Sequence, residues 1–265
     1  CETYFCDHRA KVLFQANVQR FHREHFMLDT TAGYGAKLLA HLDRYLISEA
    51  VELEEISAKE SMLHLAGPGA ERLVCAKLEE FQHAKCALGT LAASVRRRDC
   101  LGVRGYELFC KYSELAAVRL HLQSEGAALG TAETFEMLRI EAGTPVYGKD
   151  IDENRFVMEV AHATRAVCYT KGFFIGQEPI VMSRDRAGQV NRLFLGMKVE
   201  GPPLPHGTKI TKDGTEVGVI TSSCVSPRLG ATLALGYLKR PHIEPGLKLL
   251  AGEQAVEVLG YPPLA

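Results

Sequence analysis

Three short runs of this chain carry residue types and spacings that could do chemistry. The first is Lys171-Gly172-Phe173-Phe174-Ile175-Gly176-Gln177-Glu178-Pro179. Two glycines four apart bracket two aromatics and an isoleucine, a cation opens the run, and an amide and a carboxylate close it. Glycine at such points answers a need for positive φ or for close backbone approach. Gln177 and Glu178 then offer hydrogen-bonding groups at the lip of a pocket, although a strand ending in a helix cap leaves the same pattern. The second run is Gly105-Tyr106-Glu107-Leu108-Phe109. Glu107 interrupts an apolar strand, so it either points outward, as strand alternation allows, or accepts charge-assisted hydrogen bonds inside a cavity. The third is Leu138-Arg139-Ile140-Glu141-Ala142-Gly143. Arg139 lies late in a helix between two apolar residues. It either complements the negative helix end or presents a guanidinium fork to a carboxylate.

The elements that must position these groups are legible in outline. Strands at Tyr4–Asp7 and Val12–Phe21 flank a polar turn, and Phe26-Met27-Leu28 follows. Asp29-Thr30-Thr31 offers N-cap chemistry to a helix with Leu38, Leu39, Leu42, Tyr45 and Leu46 at helical spacing. Residues 51–56 alternate like a strand. From Ser61 the pattern reads strand (61–66), helix (70–81), strands (91–97 and 105–111), helix (113–122) and a short strand or turn near 127–130. This is the β-α-β-β-α-β order of ferredoxin-like units. Residues 131–142 are a further helix, stopped by Gly143 and Pro145. Beyond about residue 186 Gly and Pro punctuate short apolar runs at 193–199, 209–212, 217–222, 233–238 and 248–250, the texture of a small all-β barrel or sandwich. The expected fold class is α+β. The expected divisions are 1–56, 57–130 (ferredoxin-like), 131–185 and 186–265 (C-terminal β-barrel), with the last boundary at Asp185-Arg186.

The bulk numbers exclude several function classes. Lys+Arg of 31 against Asp+Glu of 32 leaves −1, so there is no electrostatic reason to expect nucleic acid or an anionic membrane as partner. No apolar run approaches the ~20 residues of a membrane span. Arg96-Arg97-Arg98 reads as a solvated strand edge. The eight cysteines include no C-x-x-C pair and no zinc-type spacing with histidine. They read as small buried hydrophobes of a reducing, cytoplasmic compartment. His22-x-x-His25 has no third ligand near it in sequence, so no metal is expected. The chain opens with Cys1 and runs directly into strand-like sequence, which reads as a piece of a longer protein whose targeting segment could precede it.

The Lys171–Glu178 run resembles the K-G-C-[FY]-x-G-Q-E signature of the YgfZ-type folate-binding proteins, which are related to the glycine-cleavage T-protein. Phe173 stands where that signature has cysteine. Gly105-Tyr106-Glu107, Leu138–Gly148 with its L-R-x-E-A-G-x-P-x-Y-G pattern, and Thr221–Gly230 with Leu235-Gly236-Tyr237 are similar to the same family in order and spacing. The resemblance implies a T-protein-like multidomain fold and tetrahydrofolate or a derivative as cofactor. It implies Glu107, whose carboxylate can accept the adjacent N–H and NH₂ donors of a pterin, as the group that holds the ring. Arg139 would line the pocket, and Tyr106, Lys171, Phe173, Gly176, Gln177 and Glu178 would border the ligand. Phe173 would fill the space of the family thiol and stack on the ligand, or else be a core residue.

Two departures bear on function. The T-protein's catalytic Asp follows a hairpin matched here by Ala10–Gln15, where Phe14 and Gln15 occupy the Asp positions and neither can be an anion. Asp7 is the nearest carboxylate, before the turn. A second family arginine falls on Glu244. The expected function is therefore a folate-binding accessory protein of the YgfZ type, associated with iron–sulfur proteins as partners and without T-protein catalysis. The alternative is a folate-dependent aminomethyltransferase, or the folate domain of an amine dehydrogenase. Phe173 counts against the first reading, because without a thiol it can be neither nucleophile nor redox partner nor metal ligand, and Cys168, five residues upstream, could substitute only along a different backbone path.

Overall fold

In a computed structural model, residues 1–160, 163–185 and 190–264 are described. Arg186, one side of the expected boundary, lies outside them. In chain order the elements are β1 (Glu2–Cys6), β2 (Val12–His22), β3 (His25–Thr30), α1 (Gly35–Asp43), β4 (Glu60–Ala66), α2 (Ala70–Val74), β5 (His83–Leu88), β6 (Leu91–Arg97), β7 (Gly105–Lys111) and α3 (Leu115–Ser124). There follow α4 (Ala132–Glu141), α5 (Ala163–Ala166), α6 (Gln177–Asp185), β8 (Arg192–Val199), β9 (Lys209–Lys212), β10 (Thr215–Ser226), β11 (Ala231–Lys239), β12 (Lys248–Ala251) and β13 (Gln254–Gly260). The chain forms two compact units. One holds Cys1 and residues 17–131, the other residues 2–16 and 132–265. The strands β1, β2 and β3 form a three-stranded sheet in that order.

The first unit is built on a four-stranded sheet, β4-β7-β6-β5, whose neighbouring strands pair antiparallel. Period-2 alternation sorts its side chains to two faces. Val95, Tyr106, Leu108 and Cys110 fall on one face, in a core with Val74 of α2 and Val118 and Leu122 of α3. Ser94, Arg96 and Glu107 fall on the other. The expected helix over 70–81 is cut short at Val74, because Cys75 takes a left-handed conformation (φ 49°) as its C-cap. His83–Leu88 then becomes a strand, and residues 127–130 carry none, so the element order is β-α-β-β-β-α. Residues 51–56 also form no strand: Val51 is exposed and no ladder partner exists for it among the described residues. The expected N-cap at Asp29–Thr31 is not one, since Asp29 belongs to β3 and α1 begins at Gly35 with no side-chain cap.

The second unit contains a closed antiparallel barrel of six strands, β10-β11-β8-β13-β12-β9. Closure leaves no free sheet edge. Inward residues such as Met197, Ile210, Ile220, Val256 and Val258 are fully buried. Gly236 lies where a Cβ would stand 2.2 Å from the Val219 carbonyl oxygen, so the wall there closes only around a glycine. On the barrel's outside, Ile140 of α4 packs with Phe194, Leu233, Leu235 and Tyr237. As expected, α4 stops at Gly143, in a left-handed conformation (φ 74°), with the Thr144 amide donating back to the Arg139 carbonyl at 2.8 Å. After Arg192 the only helical turn among the described residues is Arg240–His242.

Candidate functional site

Register in the first unit places His64 opposite Glu107 on β4–β7 and Arg96 opposite Glu107 on β6–β7. Glu107 is only 6% exposed, so of its two readings the buried acceptor holds. Its partner is Arg96, which is 0% exposed. Arg96 Nε donates to Glu107 Oε2 at 2.8 Å, and its Nη2 donates to the same oxygen. The rest of the fork reaches Asp29, with Nη1 to Oδ1 at 2.6 Å and Nη2 to Oδ2 at 3.0 Å. Asn17 Nδ2 donates to Asp29 Oδ2 at 2.9 Å. Burial raises the pKa of the Glu107 carboxyl, against the opposing pull of Arg96. One guanidinium thus serves two carboxylates. The solvated edge expected for Arg96–Arg98 is corrected here: Arg98 is also buried, with its guanidinium 4.9 Å above the Phe81 ring, and only Arg97 is part-exposed. On the same face the Ser94 hydroxyl has no partner, and on β2 both amide atoms of buried Gln19 have none. Tyr106 is on the opposite face, in the hydrophobic core, with its hydroxyl 3.4 Å from Glu71 Oε2. The structure therefore does not bring Tyr106 to the Glu107 carboxylate.

In the second unit Arg139 is fully buried and its fork is occupied. Nη1 donates to Asp150 Oδ2 at 2.6 Å and to the Thr144 carbonyl at 3.2 Å. Nη2 donates to Ser222 Oγ at 2.7 Å and to Glu136. Asp150 Oδ1 accepts from Thr221 Oγ1 at 2.5 Å and Ser222 Oγ at 2.7 Å. Arg139 thus ties α4 to β10. Its Nε alone is without a partner.

The Lys171–Glu178 run is the approach to α6. Gly176 has φ 81°, and a Cβ there would meet the Asp7 carbonyl oxygen at 2.8 Å and Ala10 Cα at 3.1 Å. Positive φ and close approach therefore both require glycine. Gln177 turns back over the loop, accepting from the Phe173 amide at 2.7 Å through Oε1. Lys171 Nζ lies 5.0 Å from the Phe174 ring centre, and Glu178 is exposed. Phe173 departs from both expectations. It neither fills a cavity nor joins the core, but stands wholly in solvent at φ 58°, a conformation that is unusual for an aromatic residue. Cys168 is exposed as well, and hydrogen bonds from Thr170 lower its pKa.

Beside the hairpin, β1 holds a carboxylate that sequence reasoning missed, Glu2. Asp7 spends its Oδ1 on the turn, accepting from the amides of Arg9 and Lys11 at 2.9 and 2.8 Å. Gln15 instead donates from Nε2 to Glu2 Oε1 at 2.7 Å. Glu2 is buried and accepts from Arg165 Nε and Nη2 at 3.0 and 2.7 Å. Phe14 packs edge-on to Phe5 and against Tyr147. The cysteines are also less buried than expected: among the eight, Cys110 alone is buried, while Cys1, Cys75 and Cys168 are exposed.

Comparison with known proteins locates this architecture. Residues 2–170 match the GCVT N-terminal domain, and residues 192–259 match the glycine cleavage T-protein C-terminal barrel domain. An aminomethyltransferase of Rubrobacter xylanophilus is 28% identical over 241 residues, covering 88% of this chain and 64% of that protein. One of Saccharopolyspora erythraea is 25% identical, covering 98% and 75%, and one of Nostoc sp. is 30% identical, covering 79% and 56%. The chain thus spans less than two thirds of the length of several relatives. In fold, the crystal structure of glycine cleavage system aminomethyltransferase T from Bartonella henselae superposes with a TM-score of 0.85 at 22% identity, over 100% of this chain and 75% of that one. Two matched domains in the right order, with the closed barrel at the C-terminal end, establish that the chain belongs to the glycine cleavage T-protein family.

Proposed function

We propose that the chain binds tetrahydrofolate or a derivative of it. The observation that carries this reading is the buried Glu107 carboxylate. Both of its Arg96 bonds fall on Oε2, so acceptor capacity is left for the paired N–H donors of a pterin edge. Glu107 is the residue that would hold the ring. Gln19 of β2, buried with both amide atoms unpartnered, is suited to a polar ligand. Arg139 has no free fork to offer and would act only by fixing α4. Tetrahydrofolate, when bound, supplies the nitrogen that carries a one-carbon group.

Aminomethyl transfer is the chemistry the relatives' names support, and the match across both domains weighs for it. The hairpin weighs the other way: Phe14 and Gln15 supply no anion, Asp7 is spent on the turn amides, and Glu2 is held by Arg165. The YgfZ-type accessory role, with iron–sulfur proteins as partners, is favoured by the Gly176-Gln177-Glu178 ending and by the hairpin's missing anion. The experiment is aminomethyl exchange with a lipoylated carrier and tetrahydrofolate. Turnover lost in Glu2→Gln makes the chain a transferase that uses Glu2. Folate binding without turnover makes it a binding protein. No folate binding at all overturns the proposal.

A further inference from the structure

The polar face of the first unit's sheet holds a second constellation, which shares Glu107 alone with the folate reading. His64, Cys100 and Glu107 each offer one ligand atom, and these atoms all lie within 4.8 Å of one another. Cys100 Sγ is 4.0 Å from His64 Nδ1 and 3.9 Å from Nε2. We propose that these three side chains form a binding site for a zinc-class divalent cation, with the fourth coordination position open.

Three features of the chain build this site. His64 and Glu107 are cross-strand neighbours by register, and such pairs are held a few ångströms apart by the sheet itself. Cys100 comes from the connection between β6 and β7. That connection is folded back on the sheet by the Arg98 amide donating to the Gly105 carbonyl at 2.9 Å and by the Gly105 amide donating to Asp99 Oδ1 at 3.0 Å. Gly105 makes room for the imidazole: a Cβ there would stand 2.9 Å from His64 Nε2.

The donor set is chemically coherent. Thiolate, imidazole and carboxylate are all zinc ligands, and three protein ligands with an open fourth position is the arrangement of reactive zinc sites. Arg96 on Glu107 Oε2 orients the carboxylate as an outer-shell partner does and leaves Oε1 to the metal. Two arginines are near, but Arg96 is shared between Asp29 and Glu107, so that triad carries one net negative charge, and a Cys100 thiolate offsets Arg98. Burial, and then Arg98, lower the imidazole pKa to about 4, which disfavours a protonated ring. Burial pushes the thiol up to about 12. Coordination by Cys100 releases the thiol proton to solvent as the sulfur binds the cation.

This inference does not rest on folate binding, although a metal and a pterin would compete for Glu107. The probe is cobalt(II), added to the metal-free full chain and followed by absorbance. The expected result is one equivalent bound, with a thiolate-to-cobalt charge-transfer band and intense visible bands of four-coordinate geometry, all displaced by zinc. Cys100→Ser, a one-atom change, should remove the charge-transfer band and weaken binding by about tenfold or more, while leaving tetrahydrofolate binding in place. His64→Gln is an independent second arm, and a thermal melt of each variant shows which arm is folded and can be read. No stoichiometric binding by the native chain overturns the proposal, as does a charge-transfer band that survives in folded Cys100→Ser, which would assign it to another cysteine. Loss of folate binding in Glu107→Gln with cobalt binding absent throughout would leave the folate reading standing and sink this one.

Discussion

At the scale of single residues, Arg96 decides what Glu107 can do. A buried carboxylate is costly unless a cation and hydrogen bonds compensate it. Here one guanidinium compensates Glu107 and Asp29 together. Replacing Arg96 by methionine keeps the volume and removes the cation, leaving two carboxylates facing each other across a buried gap. The expected cost is about 3–5 kcal/mol of unfolding free energy, measured by urea titration at pH 7. A loss under ~1 kcal/mol would mean that the carboxylates find other partners. The strand alternation of Gly105–Lys111 was legible in sequence, and so were the two readings open to Glu107. That Arg96 and Arg98 are buried was not legible, because three adjacent arginines look like an edge until one knows that Asp29, 67 residues away from Arg96, pairs with it. Glu2 was missed for a related reason: its partners, Gln15 and Arg165, lie 13 and 163 residues away. The His64–Cys100–Glu107 group was invisible to spacing rules, since its members come from two strands and a connection rather than from one local motif.

At the scale of elements, the approach to α6 shows what a signature run is for locally. Its glycine requirement was legible: Gly176 needs both positive φ and the space beside Ala10. Gly176→Ala should therefore cost about 1–3 kcal/mol through backbone strain plus the clash with the Asp7 carbonyl, read as a lowered urea midpoint. Phe173 should behave in the opposite way. A left-handed conformation costs a non-glycine residue roughly 1–2 kcal/mol, and its side chain buries nothing. Phe173→Gly should raise stability by about 0.5–1 kcal/mol, the strain relieved less the added freedom of the unfolded chain. A destabilised Phe173→Gly would show that the ring makes contacts in solution that hold the loop. Sequence alone gave no means to place this ring, because an aromatic in an apolar run is ordinarily read as packed. The early end of α2 was hidden likewise, since Cys75 carries no glycine-like signal for the left-handed cap it forms.

At the scale of the whole molecule, the change of texture after residue 186 foretold the all-β barrel, and five of its six strands were legible from Gly/Pro punctuation. The sixth, β13, was not, although it closes the barrel between β8 and β12. Within the second unit, the Arg139–Asp150–Ser222 network joins α4 to the barrel, and this sets a test between structural and ligand roles for Arg139. Arg139→Met should cost about 3–5 kcal/mol by leaving Asp150 buried without its cation. A stable variant that loses only folate affinity would restore the ligand role. The central claim, that this T-protein family member holds a folate through Glu107, is tested most directly by calorimetric titration of tetrahydrofolate into the full chain and into Glu107→Gln. The account expects saturable binding by the native chain, weakened by about 2–5 kcal/mol in the variant. Equal affinity in the two proteins, or no heat of binding in either, would contradict it.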